Sequence, residues 1–158
     1  MAIKIIACKS KHPFPIFGWL IQWAQKKPYS HYVISDGEYV LDSTIKGVHW
    51  TKVSDFEKKY SGVKSWYFQH RDSEPVYKWS VKYSSAPYAM AQNIGYGFKL
   101  LGIKIPNPWG NGERSINCSE LVALWVRDFL GIAIMDSDEY DLIEVEKLLD
   151  NQDEAIRY

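Results

Sequence analysis

Two β-rich runs, residues 29–35 and 38–43, are separated by Asp36-Gly37, and this junction constrains the fold more than any other stretch of the chain. An Asp-Gly pair between such runs specifies a tight antiparallel hairpin, because Gly readily accepts the positive φ that twist-matched turns require. With Asp36 and Gly37 as the two loop residues, Ser35 faces Glu38 and His31 faces Asp42. Directly opposed residues project on one face with β-carbons about 4.5–5.5 Å apart, so a carboxylate there reaches an imidazole N–H. This register gives Tyr32, Ile34, Tyr39 and Leu41 an apolar face and leaves His31, Val33, Ser35, Glu38, Val40 and Asp42 on a mixed one. A loop longer by one residue would put Ser43 opposite His31 and turn Asp42 to the other side.

Around the hairpin the pattern is mixed. Residues 3–7 read as a strand, 16–25 as a helix that ends at Lys26-Lys27-Pro28, 47–53 as a third hairpin-region strand, 54–60 as a short helix and 63–70 as a further strand. The second half is helical near 75–83, 87–101, 118–130 and 138–149, with a Pro/Gly/Asn loop over 102–115. Strands grouped early and helices grouped late predict an α+β fold, a small antiparallel sheet packed against helices, in one domain spanning residues 1–158.

Composition removes several function classes. Nineteen Lys and Arg balance nineteen Asp and Glu, so the basic footprint of a nucleic-acid binder is absent from the sequence. Nine acids fall between Asp136 and Tyr158, which reads as a solvated acidic helix on a mildly basic body. The best apolar stretch, residues 16–24, is about half the ~20 residues a membrane span needs. The start of the chain lacks the length of a secretory leader, so a cytoplasmic protein is expected. Cys8 and Cys118 give no disulfide framework. Cys8 and His12 lack a second ligand pair, and no metal or cofactor is expected.

Asn117-Cys118-Ser119-Glu120 opens an apolar pattern that ends at Gly131. Asn117 suits an N-cap and Glu120 stands where a capping-box carboxylate belongs, which places Cys118 in the first turn. The positive end of a helix favours a thiolate, the reactive form of cysteine, and its unsatisfied N–H groups suit an oxyanion. A buried cysteine that merely packs fits the same local pattern. A base distinguishes the two accounts, and His31 with Asp42 supplies a candidate: the carboxylate fixes the imidazole tautomer and stabilises the imidazolium formed when a thiol gives up its proton.

The run PFPIFGWLIQWAQKKPYSHYVISDGEYVLDSTIKGV and the segment INCSELVALWVRDFLGI resemble the circularly permuted papain-like proteins of the NlpC-type superfamily, in particular the YiiX-like branch. The similarity runs from Ile3 to Leu149 and is vaguest over 53–83. It implies a permuted papain-like domain with Cys118 as nucleophile, His31 as general base and Asp42 as the orienting third member. Relatives of that branch often look to carry Glu at the orienting position. The related acyltransferases of the lecithin:retinol type carry a second His there and Asn-Cys-Glu-His around the nucleophile, whereas this chain has Asn-Cys-Ser-Glu, a difference that favours hydrolysis over acyl transfer.

The expected activity is therefore a cysteine hydrolase that cleaves an amide, peptide or isopeptide, or an ester through a thioester. Peptide, cell-wall or lipid-derived acyl groups are the candidate substrates. Tyr29, Asn117, Ser119 and Trp109 are candidate oxyanion or substrate-binding residues, Trp109 as part of a loop beside the nucleophile. Two alternatives share the fold: a non-catalytic binding or inhibitory module, and a lipid acyltransferase or phospholipase anchored on a bilayer by the helix over residues 14–23.

Overall fold

A computed structural model describes residues 2–12, 16–69, 74–84, 86, 116–134 and 141–156. It is an α+β structure built on a five-stranded antiparallel sheet packed against helices. The strands are β1 (Ala2–Ser10), β2 (His31–Ser35), β3 (Tyr39–Thr44), β4 (Gly47–Lys52) and β5 (Tyr60–Gln69), in the order β4-β3-β2-β1-β5. The helices are α1 (Ile16–Gln25), α2 (Val53–Lys59), α3 (Glu74–Val81), α4 (Cys118–Leu130) and α5 (Leu142–Ile156). The expected helix over 87–101 and the loop with Trp109 lie outside the described residues.

The β2–β3 hairpin forms, with a register different from the expected one. Ser35 pairs with Val40 and Ile34 with Leu41. The Asp36 N–H donates to the Tyr39 carbonyl at 3.2 Å, which makes Gly37 and Glu38 the turn residues. Two features move the turn along by one residue. Gly37 takes φ +100 at the first turn position, and the Asp36 carboxylate accepts from the Glu38 and Tyr39 N–H groups at 2.9 and 2.7 Å. Moving a turn by one residue shifts cross-strand pairing by two, so every side chain keeps its face. His31 and Asp42 become diagonal neighbours on one face instead of directly opposed ones.

Both faces of the sheet are covered. Ile3, Ile5, Ala7, Tyr32, Ile34, Leu41, Trp66 and Phe68 join α4 and α5 in the main core. Side chains of opposite parity, Cys8, Val33 and Val40, pack with Phe56 of α2 in a second, smaller cluster. Helix α2 occupies that face because it connects β4 at one edge with β5 at the other. Strand β2 is buried at all five positions as a result.

Helix α4 is bounded as its caps dictate, from Asn117 in extended conformation to Gly131 at φ +67. Its residues from Cys118 through Val126 are buried, and it packs on β2 and β3. Helix α5 is held to β5 and to the segment after α1 by ions: Lys27 and Lys64 both pair with Glu146, Lys64 also with Asp150, and the Trp66 indole donates to Asp150 at 2.7 Å. Burial opposes charge on Glu146, yet bonds from Lys27, Tyr29 and Lys64 hold its carboxyl down at about 2.

Candidate active site

The nucleophile candidate is fixed from two directions. Within α4, the Asn117 side chain accepts from the Glu120 N–H at 2.8 Å and from the Ser119 hydroxyl at 2.7 Å, while Glu120 reaches back to the Asn117 N–H. This capping box sets Cys118 at the first helical position, where backbone N–H groups have no intrahelical acceptor. From the sheet, the Ser43 hydroxyl donates to the Ile116 carbonyl at 2.6 Å and ties the approach to α4 onto β3.

Strand alternation does the rest. Asp42 precedes Ser43 and therefore faces the other way, toward His31. Its carboxylate Oδ1 lies 2.5 Å from His31 Nε2, with 8% of His31 and 4% of Asp42 exposed. Cys118, at the start of α4, lies near enough to the imidazole for its sulfur to act on it electrostatically. Burial works to lower the His31 pKa, but the Asp42 carboxylate and the Cys118 sulfur together outweigh it and hold the imidazole well above its ordinary value. The three residues paired from sequence thus come together at one end of β2.

Two further aromatic and thiol groups complete the surroundings. The Tyr60 ring stacks on His31 with centroids 5.4 Å apart and planes 23° apart, and is itself stacked on Phe56 at 4.9 Å. Burial raises the Tyr60 pKa, with His31 opposing. Cys8 pairs with His31 in the β1–β2 ladder, and its thiol donates to the His31 carbonyl at 3.5 Å. Burial pushes the Cys8 thiol up to about 12, which marks it as inert. A groove of about 310 Å³ on the α2 side, with apolar Ile6, Val40 and Phe56 and polar Lys4, Glu57 and Lys64 in its walls, reaches Tyr60 but is not lined by His31, Asp42 or Cys118.

The remaining sequence candidates occupy other places. Asn117 and Ser119 direct their side chains into the helix cap. Tyr29 is buried against Tyr32 at 5.6 Å, and its hydroxyl belongs to a network with Tyr32 and Glu146. Trp109 lies outside the described residues. His49 stands opposite Asp42 in the β3–β4 register but turns Nδ1 to the Gly47 carbonyl at 2.9 Å. Among the described residues no cluster of three or more potential metal ligands occurs. Sequence reasoning missed Ser43 and Tyr60. Strand parity at Ser43 was a usable signal, since its neighbour Asp42 was already assigned to the opposite face.

Comparison with known proteins gave no match to any family model, any curated protein or any solved structure.

Proposed function

We propose that the protein is a thiol hydrolase of permuted papain-like design, cleaving an amide or ester bond through Cys118, His31 and Asp42. The observation that carries this reading is one buried imidazole held by a carboxylate at 2.5 Å through Nε2 and influenced by a thiol at a helix N-terminus. With Nε2–H donating to Asp42, Nδ1 is the nitrogen that receives the thiol proton.

The chemistry then balances without a further group. The Cys118 thiolate attacks the substrate carbonyl carbon, and the resulting oxyanion is received by the backbone N–H of Cys118. Collapse breaks the C–N or C–O bond, and the His31 imidazolium returns its proton to the departing amine or alcohol. Water, deprotonated by the imidazole, attacks the thioester and releases the acid and the free thiol.

Native alkylation with iodoacetamide, read by peptide mass, should modify Cys118 and spare Cys8. With its thiol near 12, Cys8 holds only about one thiolate in ten thousand at pH 8. A panel of acyl, peptide and isopeptide substrates should show turnover that Cys118→Ala abolishes. Modification of Cys8 alone, or turnover that survives Cys118→Ala, would overturn the assignment and leave a binding module.

A further inference from the structure

We infer that α1 is a docking surface for an anionic lipid bilayer, lying in the interface and not crossing it. The helix Ile-Phe-Gly-Trp-Leu-Ile-Gln-Trp-Ala-Gln carries no charge over its ten residues. One side is committed to the protein: Ile21 packs against the main core and Gln25 is buried. Trp19 and Trp23, one turn apart, are each 60% exposed. Exposed tryptophans spaced to share a helix face are costly in water, and indole is the side chain that favours the headgroup boundary of a membrane.

Charge identifies the surface it fits. The first 35 residues hold Lys4, Lys9, Lys11, Lys26 and Lys27 and no Asp or Glu. Lys26 follows α1 directly and is exposed, as is Lys9 near the end of β1. The Ser30 N–H donates to the Cys8 carbonyl at 3.1 Å, which brings that end of β1 beside the segment leaving α1. Lys27 pairs with the Glu146 carboxylate and Lys11 donates to the Glu57 backbone carbonyl, whereas among the described residues no side-chain hydrogen bond or ion pair holds Lys9 or Lys26, so these two are the cations to test. Outward indoles on a helix followed by an exposed lysine suit the headgroup boundary of a negatively charged leaflet. No helix among the described residues is long and apolar enough to cross a membrane.

This inference stands on α1 and its lysines and does not require thiol chemistry. Its test is co-sedimentation of the full chain with vesicles of phosphatidylcholine alone or mixed with phosphatidylserine, using the Cys118→Ala protein beside wild type so that turnover plays no part. Both proteins should bind the mixed vesicles equally. Trp19→Ala/Trp23→Ala should lower the bound-to-free ratio at least about tenfold while keeping the wild-type melting temperature, since both side chains are exposed. Lys9→Glu/Lys26→Glu should weaken binding to the mixed vesicles alone, by about fivefold per lysine. Failure of wild type to bind, or binding unchanged by the tryptophan pair, would overturn the inference. So would a lipid-free dimer that the same tryptophan substitutions dissolve, which would make a second copy of the chain the occupant of α1.

Discussion

The His31–Asp42 contact has a consequence that ordinary structural pairs lack, because the imidazole is buried and carries its elevated pKa only while folded. A histidine whose folded pKa lies above its unfolded value near 6.5 stabilises the fold fully below that value, and the contribution fades as pH rises through the folded pKa. Replacing Asp42 by Asn removes the carboxylate that holds the proton. The stability gap between wild type and Asp42→Asn, measured by urea denaturation, should therefore be widest at and below pH 6 and shrink as pH rises through the folded value. A gap that widened toward alkaline pH would contradict the charge assignment. On the proposed chemistry the same substitution should lower kcat by about 10²–10⁴-fold. At this scale the sequence was legible wherever the signal was local. Cys118 follows a cap, and His31 and Asp42 flank one turn. Tyr60 stacks on His31 across 29 positions of chain, and no local pattern announces a contact made by sheet topology.

Among the elements, α4 and β2–β3 show where reading by rule succeeds and where it slips. The helix over 118–130 was legible to the residue because Asn117 and Gly131 fix its ends locally. The hairpin was legible as a hairpin, but Asp-Gly and Gly-Glu both make acceptable turns, and side-chain acceptance by Asp36 decides between them. The pairing of His31 with Asp42 survived because the slip was an even one. Strand β5 begins at Tyr60, three residues before the expected start, since Ser10, Lys9 and Cys8 of β1 pair with Tyr60, Ser61 and Gly62 past an irregularity at Ala7/Cys8. That is a tertiary decision about the end of a strand. The turn itself makes a clean prediction. Gly37 has φ +100 and open space within 4 Å of where a side chain would begin, so Gly37→Ala meets backbone strain without a clash. It should destabilise the fold by about 1–2 kcal/mol in urea denaturation while leaving alkylation of Cys118 unchanged. An equal loss of alkylation would show that the turn, and not parity along the strands, sets the His31 geometry.

At the level of the whole molecule, the sheet acts as a partition whose two sides must agree. Asp42 faces the smaller α2 side and bonds the His31 imidazole, while Ser43, the next residue, faces the main core and holds the approach to α4. One strand thus sets both halves of the proposed reaction centre, and a displacement of β3 moves them together. Sequence alternation suggested one apolar and one mixed face. It did not reveal that the mixed face is also buried, because the cover is α2, whose position follows from strand order and not from the pattern of β2. Ser43→Ala separates the two roles. It strands a buried carbonyl at Ile116 and should cost about 1–3 kcal/mol, comparable with many core substitutions. The carboxylate–imidazole pair remains, so the pH dependence of turnover should move less than in Asp42→Asn while kcat falls through misplacement of Cys118. Asp42→Asn should shift the profile itself as well as lowering kcat. If Ser43→Ala lost stability with kcat intact, the nucleophile would be positioned by the Asn117 cap alone, and the coupling of sheet to helix through β3 would be structural and nothing more.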